Sequence, residues 1–256
     1  MDLFPSLFHR SGGVVYHWRA FQNLARPWRS NLWLPHAEQT RAFIEEWNPQ
    51  SNSLYLVGPS GGYSLPKNWL QKFSSITAFE PDWLARKIFE FRTGTRPVWI
   101  TKPFRFDELK NGTLAIPEHS AILFSNLLGQ LNFDEQAGLL AQEELLKLAL
   151  TNEFASYHDI LSGDHFRFEW SSPIISTEDG EQPLRVKYEL EALDPFIAVN
   201  EEVVNKKTME GLTELDLHVH PAAYLFQDPE PFRYQYWEWQ ITRKQTQVIE
   251  GVYSRR

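Results

Sequence analysis

The stretch that decides the fold is Ser53–Asp82, SLYLVGPSGGYSLPKNWLQKFSSITAFEPD. Ser53–Val57 is a short apolar run that stops at Gly58, the pattern of a strand buried on both faces. Gly58, Pro59, Ser60, Gly61 and Gly62 then make a turn, and a helix is predicted through Asn68 to Phe73. A second strand, Ile76–Phe79, closes on Glu80 and Pro81. Glycines allow a tight turn and let the backbone approach a ligand closely. An acid at the end of the following strand accepts hydrogen bonds from the two hydroxyls of a ribose. The two features together point to a nucleoside site outside the carboxyl ends of a parallel sheet. Each has a plainer reading on its own. The glycines suit any strand-to-helix turn, and Glu80 suits the positive end of a helix over Trp83–Arg92. Their occurrence together at nucleoside spacing favours the site. The dinucleotide pattern G-x-G-x-x-G is not met, because Ser60 and Tyr63 hold its second and third glycine positions; this argues against NAD or FAD.

Working outward, the chain alternates strands with helices. Pro35–Trp47 reads as a helix with Ala37, Phe43, Ile44 and Trp47 on one face, ended by Asn48 and Pro49. Beyond the motif come a helix over Trp83–Arg92, a third strand at Val98–Ile100 and a fourth at Ser120–Ser125. A long helix, Asp134–Leu150, opens on Asp134 and Glu135, and a fifth strand, Phe154–Tyr157, ends at His158 and Asp159. This alternation predicts an α/β fold with a Rossmann-like, mostly parallel sheet flanked by helices. Residues 1–50 are expected to form an N-terminal helical cap and 51–164 the nucleotide-binding core. From 165 to 256 the pattern changes to two-residue alternation in HFRFEWSS, LRVKYELEAL, TELDLHVH and RYQYWEWQITRK. That part is expected to be antiparallel and β-rich, completing the sheet or the substrate pocket.

At this point the chain resembles the class I S-adenosylmethionine-dependent methyltransferase family. Gly58–Gly62 falls where that family has its glycine-rich first motif, and Glu80, in AFEPD, where it has its ribose-binding acid. Asn126, after AILFS, falls where the fourth strand ends beside the methyl group. The resemblance spans about residues 35–165. It implies S-adenosylmethionine as cofactor, with Gly58, Ser60, Gly61 and Gly62 around its amino-acid end, Glu80 on the ribose and Asn126 near the sulfonium. Three positions depart from the family pattern. Leu56 stands where many members carry an acid, Ser60 replaces the middle glycine, and Ile100–Lys102 lacks an acid for the adenine amino group.

Composition narrows the partners. The net charge of -8 and pI near 5.5 lack the basic footprint nucleic acid requires, so a small-molecule acceptor is expected and nucleic acid is not. The chain has no cysteine, which excludes disulfides, thiolate catalysis and zinc–thiolate sites. No apolar stretch approaches the roughly 20 residues of a membrane span, and no leader is evident, so no membrane and a cytoplasmic location are expected.

Other residues suggest other chemistry. His158, at the expected end of the fifth strand, is the leading candidate for a base toward a methyl acceptor, with Asp159 orienting it or binding substrate; the plainer reading is a helix cap at Asp159 and a partly exposed imidazole. Gly58-Pro59-Ser60-Gly61-Gly62 also satisfies G-x-S-x-G, the nucleophile elbow of a serine esterase, with Asp159 or Asp194 and His218 or His220 in permitted order. Few strands precede residue 53, and that reading leaves Glu80 without a role. His218 and His220 share a strand face with Asp216, yet a metal needs a third convergent ligand and an oriented second shell, so no metal is expected. Arg10, Arg19, Arg26 and Arg29, mixed with Tyr16, Trp18, Trp28 and Trp33, suit either a lid or, preferably, a cap whose aromatics pack on the sheet. The departures at Leu56 and Ser60 also allow a non-catalytic binding module of the same fold.

Overall fold

A computed structural model describes residues 13–24, 32–131, 135–164, 217–219, 222, 225–226, 232–243 and 245–254. Within them the helices are α1 (Gly13–Leu24), α2 (Leu34–Trp47), α3 (Lys67–Leu70), α4 (Trp83–Thr93), α5 (Phe106–Lys110) and α6 (Glu135–Thr151). The strands are β1 (Ser53–Val57), β2 (Ser75–Phe79), β3 (Val98–Ile100), β4 (Ala121–Ser125), β5 (Glu153–Asp164), β6 (Leu217–Val219), β7 (Phe232–Gln240) and β8 (Gln245–Ser254).

The strands form one sheet in the order β3-β2-β1-β4-β5-β8-β7, with β6 pairing β5 off that path. The first five are mutually parallel, while β8 runs antiparallel to both β5 and β7. This is a Rossmann-like α/β fold, and the C-terminal strands extend its main sheet. Parallel strands need coverage on both faces, because their crossover helices lie there. One face buries Val57, Phe79, Ile122, Phe124 and Phe154 against Phe106 of α5 and Ala141, Leu145 and Leu148 of α6. The other buries Leu54, Leu56, Ala78 and Leu123 against Phe43 and Ile44 of α2, Trp69 of α3 and Phe89 of α4.

Local chemistry sets the ends of the helices. The Asp82 side chain accepts from the Leu84 N–H at 2.8 Å and caps α4, and Gly94, at φ 69°, closes it. Asn48 closes α2 in the left-handed region, with its N–H donating to the Ile44 carbonyl.

One expectation needs correction. The fifth strand does not stop at Tyr157 but runs on to Asp164, because β8 pairs with it from Ala155 to Asp164. The two short elements α5 and the 3-10 turn Leu128–Gln130, and the strand β8, carry too little pattern or too mixed a pattern to be foreseen. The segments HFRFEWSS and LRVKYELEAL, with Asp134, Asp194, His220 and Asp216, lie outside the described residues. Among the described residues no helix is long and apolar enough to cross a membrane.

The last strands are locked to α2. Trp237 Nε1 donates to His36 Nδ1 at 3.0 Å, and the His36 ring stacks on Trp239 at 4.3 Å with an 11° interplanar angle. Burial pushes His36 down to about 3, so it is the neutral imidazole that accepts this bond. Gly251 makes the close approach feasible, since a Cβ there would lie 2.7 Å from the Trp237 ring and 2.8 Å from Phe43. Gly251→Ala is expected to lower the free energy of unfolding by about 1–3 kcal/mol through overpacking. A urea titration with an unchanged slope and a lower midpoint is the expected result.

Candidate functional site

Strand order reverses direction between β1 and β4, and a crevice opens beyond the carboxyl ends of strands at such a point. Gly58 follows β1 and Asn126 follows β4, so the sequence motifs converge there.

The turn after β1 is built from left-handed residues. Gly58, Ser60 and Gly62 have φ of 69°, 49° and 65°. The Gly58 N–H donates to the Phe79 carbonyl at 3.0 Å, and the Gly62 N–H to the Pro59 carbonyl at 2.9 Å. Gly61 and Gly62 are small for a reason of packing. A Cβ on Gly61 would meet the Tyr63 ring at 2.7 Å and Ile88 at 2.9 Å, and one on Gly62 would meet Phe89 at 2.8 Å, so both seat the turn on α4. Ser60 is the costly member, since a side chain in this region costs about 1–2 kcal/mol.

Glu80 holds that turn. Its Oε2 accepts from the Ser60 N–H at 2.9 Å, and its Oε1 from the Asp82 N–H at 3.0 Å. One carboxylate thus bridges the turn after β1 and the start of α4. Arg86 donates to the Glu80 carbonyl at 2.7 Å and fixes the same corner. Glu80 is buried, 8% exposed, and burial pushes its carboxyl up to about 7 despite the two backbone donors.

Asn126 has φ 53° and donates its N–H to the Tyr157 carbonyl at 2.8 Å. Its Oδ1 is buried and has no partner. A buried acceptor without a donor costs about 1–3 kcal/mol, which a ligand donor relieves. Beside it the Ser125 and Tyr157 hydroxyls share a hydrogen bond at the ends of β4 and β5.

Sequence reasoning undervalued the N-terminal helix. Burial raises the Tyr16 hydroxyl well above its ordinary range, and the neighbouring Ser60 side chain lowers it in part. Its ring lies 6.2 Å from Tyr63 and 5.6 Å from Trp33. His17 Nδ1 lies 2.7 Å from the Tyr63 hydroxyl, and its Nε2 lies 3.5 Å from Asp82 Oδ2. The only signal in the sequence was the density of aromatics around Tyr16 and Trp33. Arg19 lies on the exposed side of α1, while Arg10, Arg26, Arg29 and Trp28 lie outside the described residues.

His158 is placed differently from expectation. It sits inside β5, fully enclosed, on the face opposite Tyr157. Its Nδ1 meets Ser156 Oγ at 3.0 Å, its Nε2 lies 3.4 Å from Glu250, and Phe226 lies against its ring at 5.6 Å. Glu250 in turn accepts from the Tyr236 hydroxyl at 2.8 Å. Asp159 faces the other way: its Oδ2 accepts from Gln247, and its Oδ1 lies 2.0 Å from where a Cβ on Gly129 would be. Asp159 therefore borders the end of β4, whereas His158 does not. Among the described residues no imidazole bonds the Ser60 side chain, so none supplies the base of an esterase elbow. No group of three or more His, Asp or Glu suited to a metal occurs among the described residues; His218 lies in β6.

No protein-family model matches the chain, and no curated protein sequence does. Solved structures do. The N-methyltransferase NodS from Bradyrhizobium japonicum WM9 is 8% identical, over 89% of this chain and 98% of its own, with a TM-score of 0.46. The magnesium protoporphyrin IX methyltransferase of Synechocystis PCC 6803 with bound SAM is 8% identical, over 93% and 91%, at 0.44. An rRNA methylase from Streptococcus thermophilus is 11% identical, over 85% and 95%, at 0.39.

The raised Glu80 links stability to pH. Its folded value near 7 lies above the ordinary 4.5, so the folded state loses stability as pH rises from about 4.5 to about 7. Glu80→Gln cannot ionise and escapes that loss. Relative to wild type it is expected to gain on the order of 2 kcal/mol between pH 4 and pH 8, read from denaturation curves at both pH values.

Proposed function

We propose that the chain is an S-adenosylmethionine-dependent methyltransferase acting on a small-molecule acceptor. The observation that carries this reading is the Glu80 carboxylate, bonded to the turn after β1 at the switch point of the sheet. The residues fit the group: Glu80 keeps lone pairs beyond its two backbone bonds for ribose hydroxyls, and Asn126 Oδ1 offers a buried, unused acceptor. The cofactor, when bound, supplies an electrophilic methyl group.

The chain's own residues do the positioning. Gly58, Ser60, Gly61 and Gly62 shape the wall around the cofactor's amino-acid end, Glu80 orients the ribose, and Asn126 fixes the reacting end. Asp159, beside the 3-10 turn after β4, orients the acceptor. His158 takes no part, because its ring is enclosed on the other face. Rate comes mainly from holding acceptor and donor in line in a site shielded from water. The net charge of -8 supports a small acceptor rather than nucleic acid.

A second reading, a non-catalytic module, draws on one observation: both Glu80 oxygens are already engaged and the residue is covered. Calorimetry with S-adenosylhomocysteine separates the readings. Micromolar binding, weakened more than tenfold by Glu80→Ala, is expected from the loss of a charged acceptor. Affinity is expected to fall as pH drops through about 7, because protonation turns one Glu80 acceptor into a donor. No binding at millimolar ligand sinks the reading. Binding without methyl release into any acceptor fraction supports the module.

A further inference from the structure

We propose that helix α1 is an autoinhibitory lid whose Tyr16 and His17 close the nucleoside site, so that ligand binding requires α1 to lift. This rests on the methyltransferase-type site described above and concerns its regulation.

Contacts across the site carry the inference. The Tyr16 ring packs against Tyr63, the residue that follows the turn, at 6.2 Å between centroids. His17 reaches the Tyr63 hydroxyl at 2.7 Å and Asp82 at 3.5 Å, bridging the turn to the cap of α4. Trp33, the residue just before α2, backs the Tyr16 ring at 5.6 Å. Under this cover Glu80 is only 8% exposed. A carboxylate meant for ribose hydroxyls has to be reached by them, and the closed arrangement denies that contact.

The helix is also lightly held. Ala20 and His17 are buried on its inner side, while Val14, Trp18 and Phe21 stay about half exposed on its outer side. A helix of 12 residues has little stability of its own in water, so these inner contacts hold it in place. Breaking a few of them is a local event that leaves the sheet intact. The apparent affinity for ligand is then the intrinsic affinity reduced by the fraction of open molecules.

The test uses the full chain. S-adenosylhomocysteine binding is measured by calorimetry for wild type, Tyr16→Phe and Tyr16→Ala, with amide hydrogen exchange of residues 13–24 followed in each. Tyr16→Phe keeps the ring contacts with Tyr63 and Trp33 and is expected to change binding less than about threefold; Tyr16→Ala, which removes them, is expected to tighten it about tenfold. Ligand is expected to speed exchange in 13–24 while β1 and β4 stay protected. Equal or weaker binding by both variants overturns the lid, since Tyr16 is then part of the ligand's wall or irrelevant to it. Slower exchange in α1 on adding ligand overturns it as well. Should no form bind, the nucleoside reading fails, and exchange in the free protein decides the lid. Opening of 13–24 independent of the core, and faster in Tyr16→Ala, supports it; exchange of α1 only with global unfolding overturns it.

Discussion

Everything at the crevice depends on one carboxylate held between two backbone N–H groups. Glu80 accepts from Ser60 on one side and from Asp82 on the other. The first bond offsets the cost of a serine in the left-handed region, and the second sets the entry to α4. Replacing Ser60 with glycine would remove that strain.

The placement of the polar groups sorts them into two sets. Glu80, Ser60 and Asn126 stand beyond the carboxyl ends of β2, β1 and β4, with Tyr157 and Asp159 on one face of β5, and the Asn126 Oδ1 lacks a donor. On the other face Ser156, His158, Glu250 and Tyr236 form a closed chain inside the sheet. A network of that second kind specifies how β5, β7 and β8 register, since each member is useful only with its neighbours in place. The alternation of β5 separates the two: Tyr157 and Asp159 point one way, Ser156 and His158 the other.

Much of this was legible in the sequence because it is local. The run SLYLV, the turn Gly58–Gly62 and the closing acid of AFEPD determine three consecutive elements, and β1 matches its expected bounds residue for residue. Pro35–Trp47 and Trp83–Arg92 declare themselves by apolar spacing and end signals. What was not legible depends on partners far along the chain. The extension of β5 past Tyr157 exists because Gln245–Ser254 lies beside it, and nothing near His158 announces that neighbour. The burial of His158 follows from that pairing, so a residue expected at a strand end became part of the interior. Tyr16 was visible as an aromatic, but its packing against Tyr63 is a matter of how α1 folds back.

The docking of α2 has a consequence in time. Trp33 bonds to the carbonyl of Ile241, His36 to Trp237 and Glu46 to Tyr253, partners separated by roughly two hundred residues. During synthesis, which proceeds from the N-terminus, α2 emerges long before the strands that receive it. Contacts of such sequence separation are slow to close. The nascent chain therefore carries Phe43 without the Trp237 and Tyr253 rings that cover it until β7 and β8 are released. A chain stopped before β8 would present that surface to chaperones and proteases rather than to its own sheet.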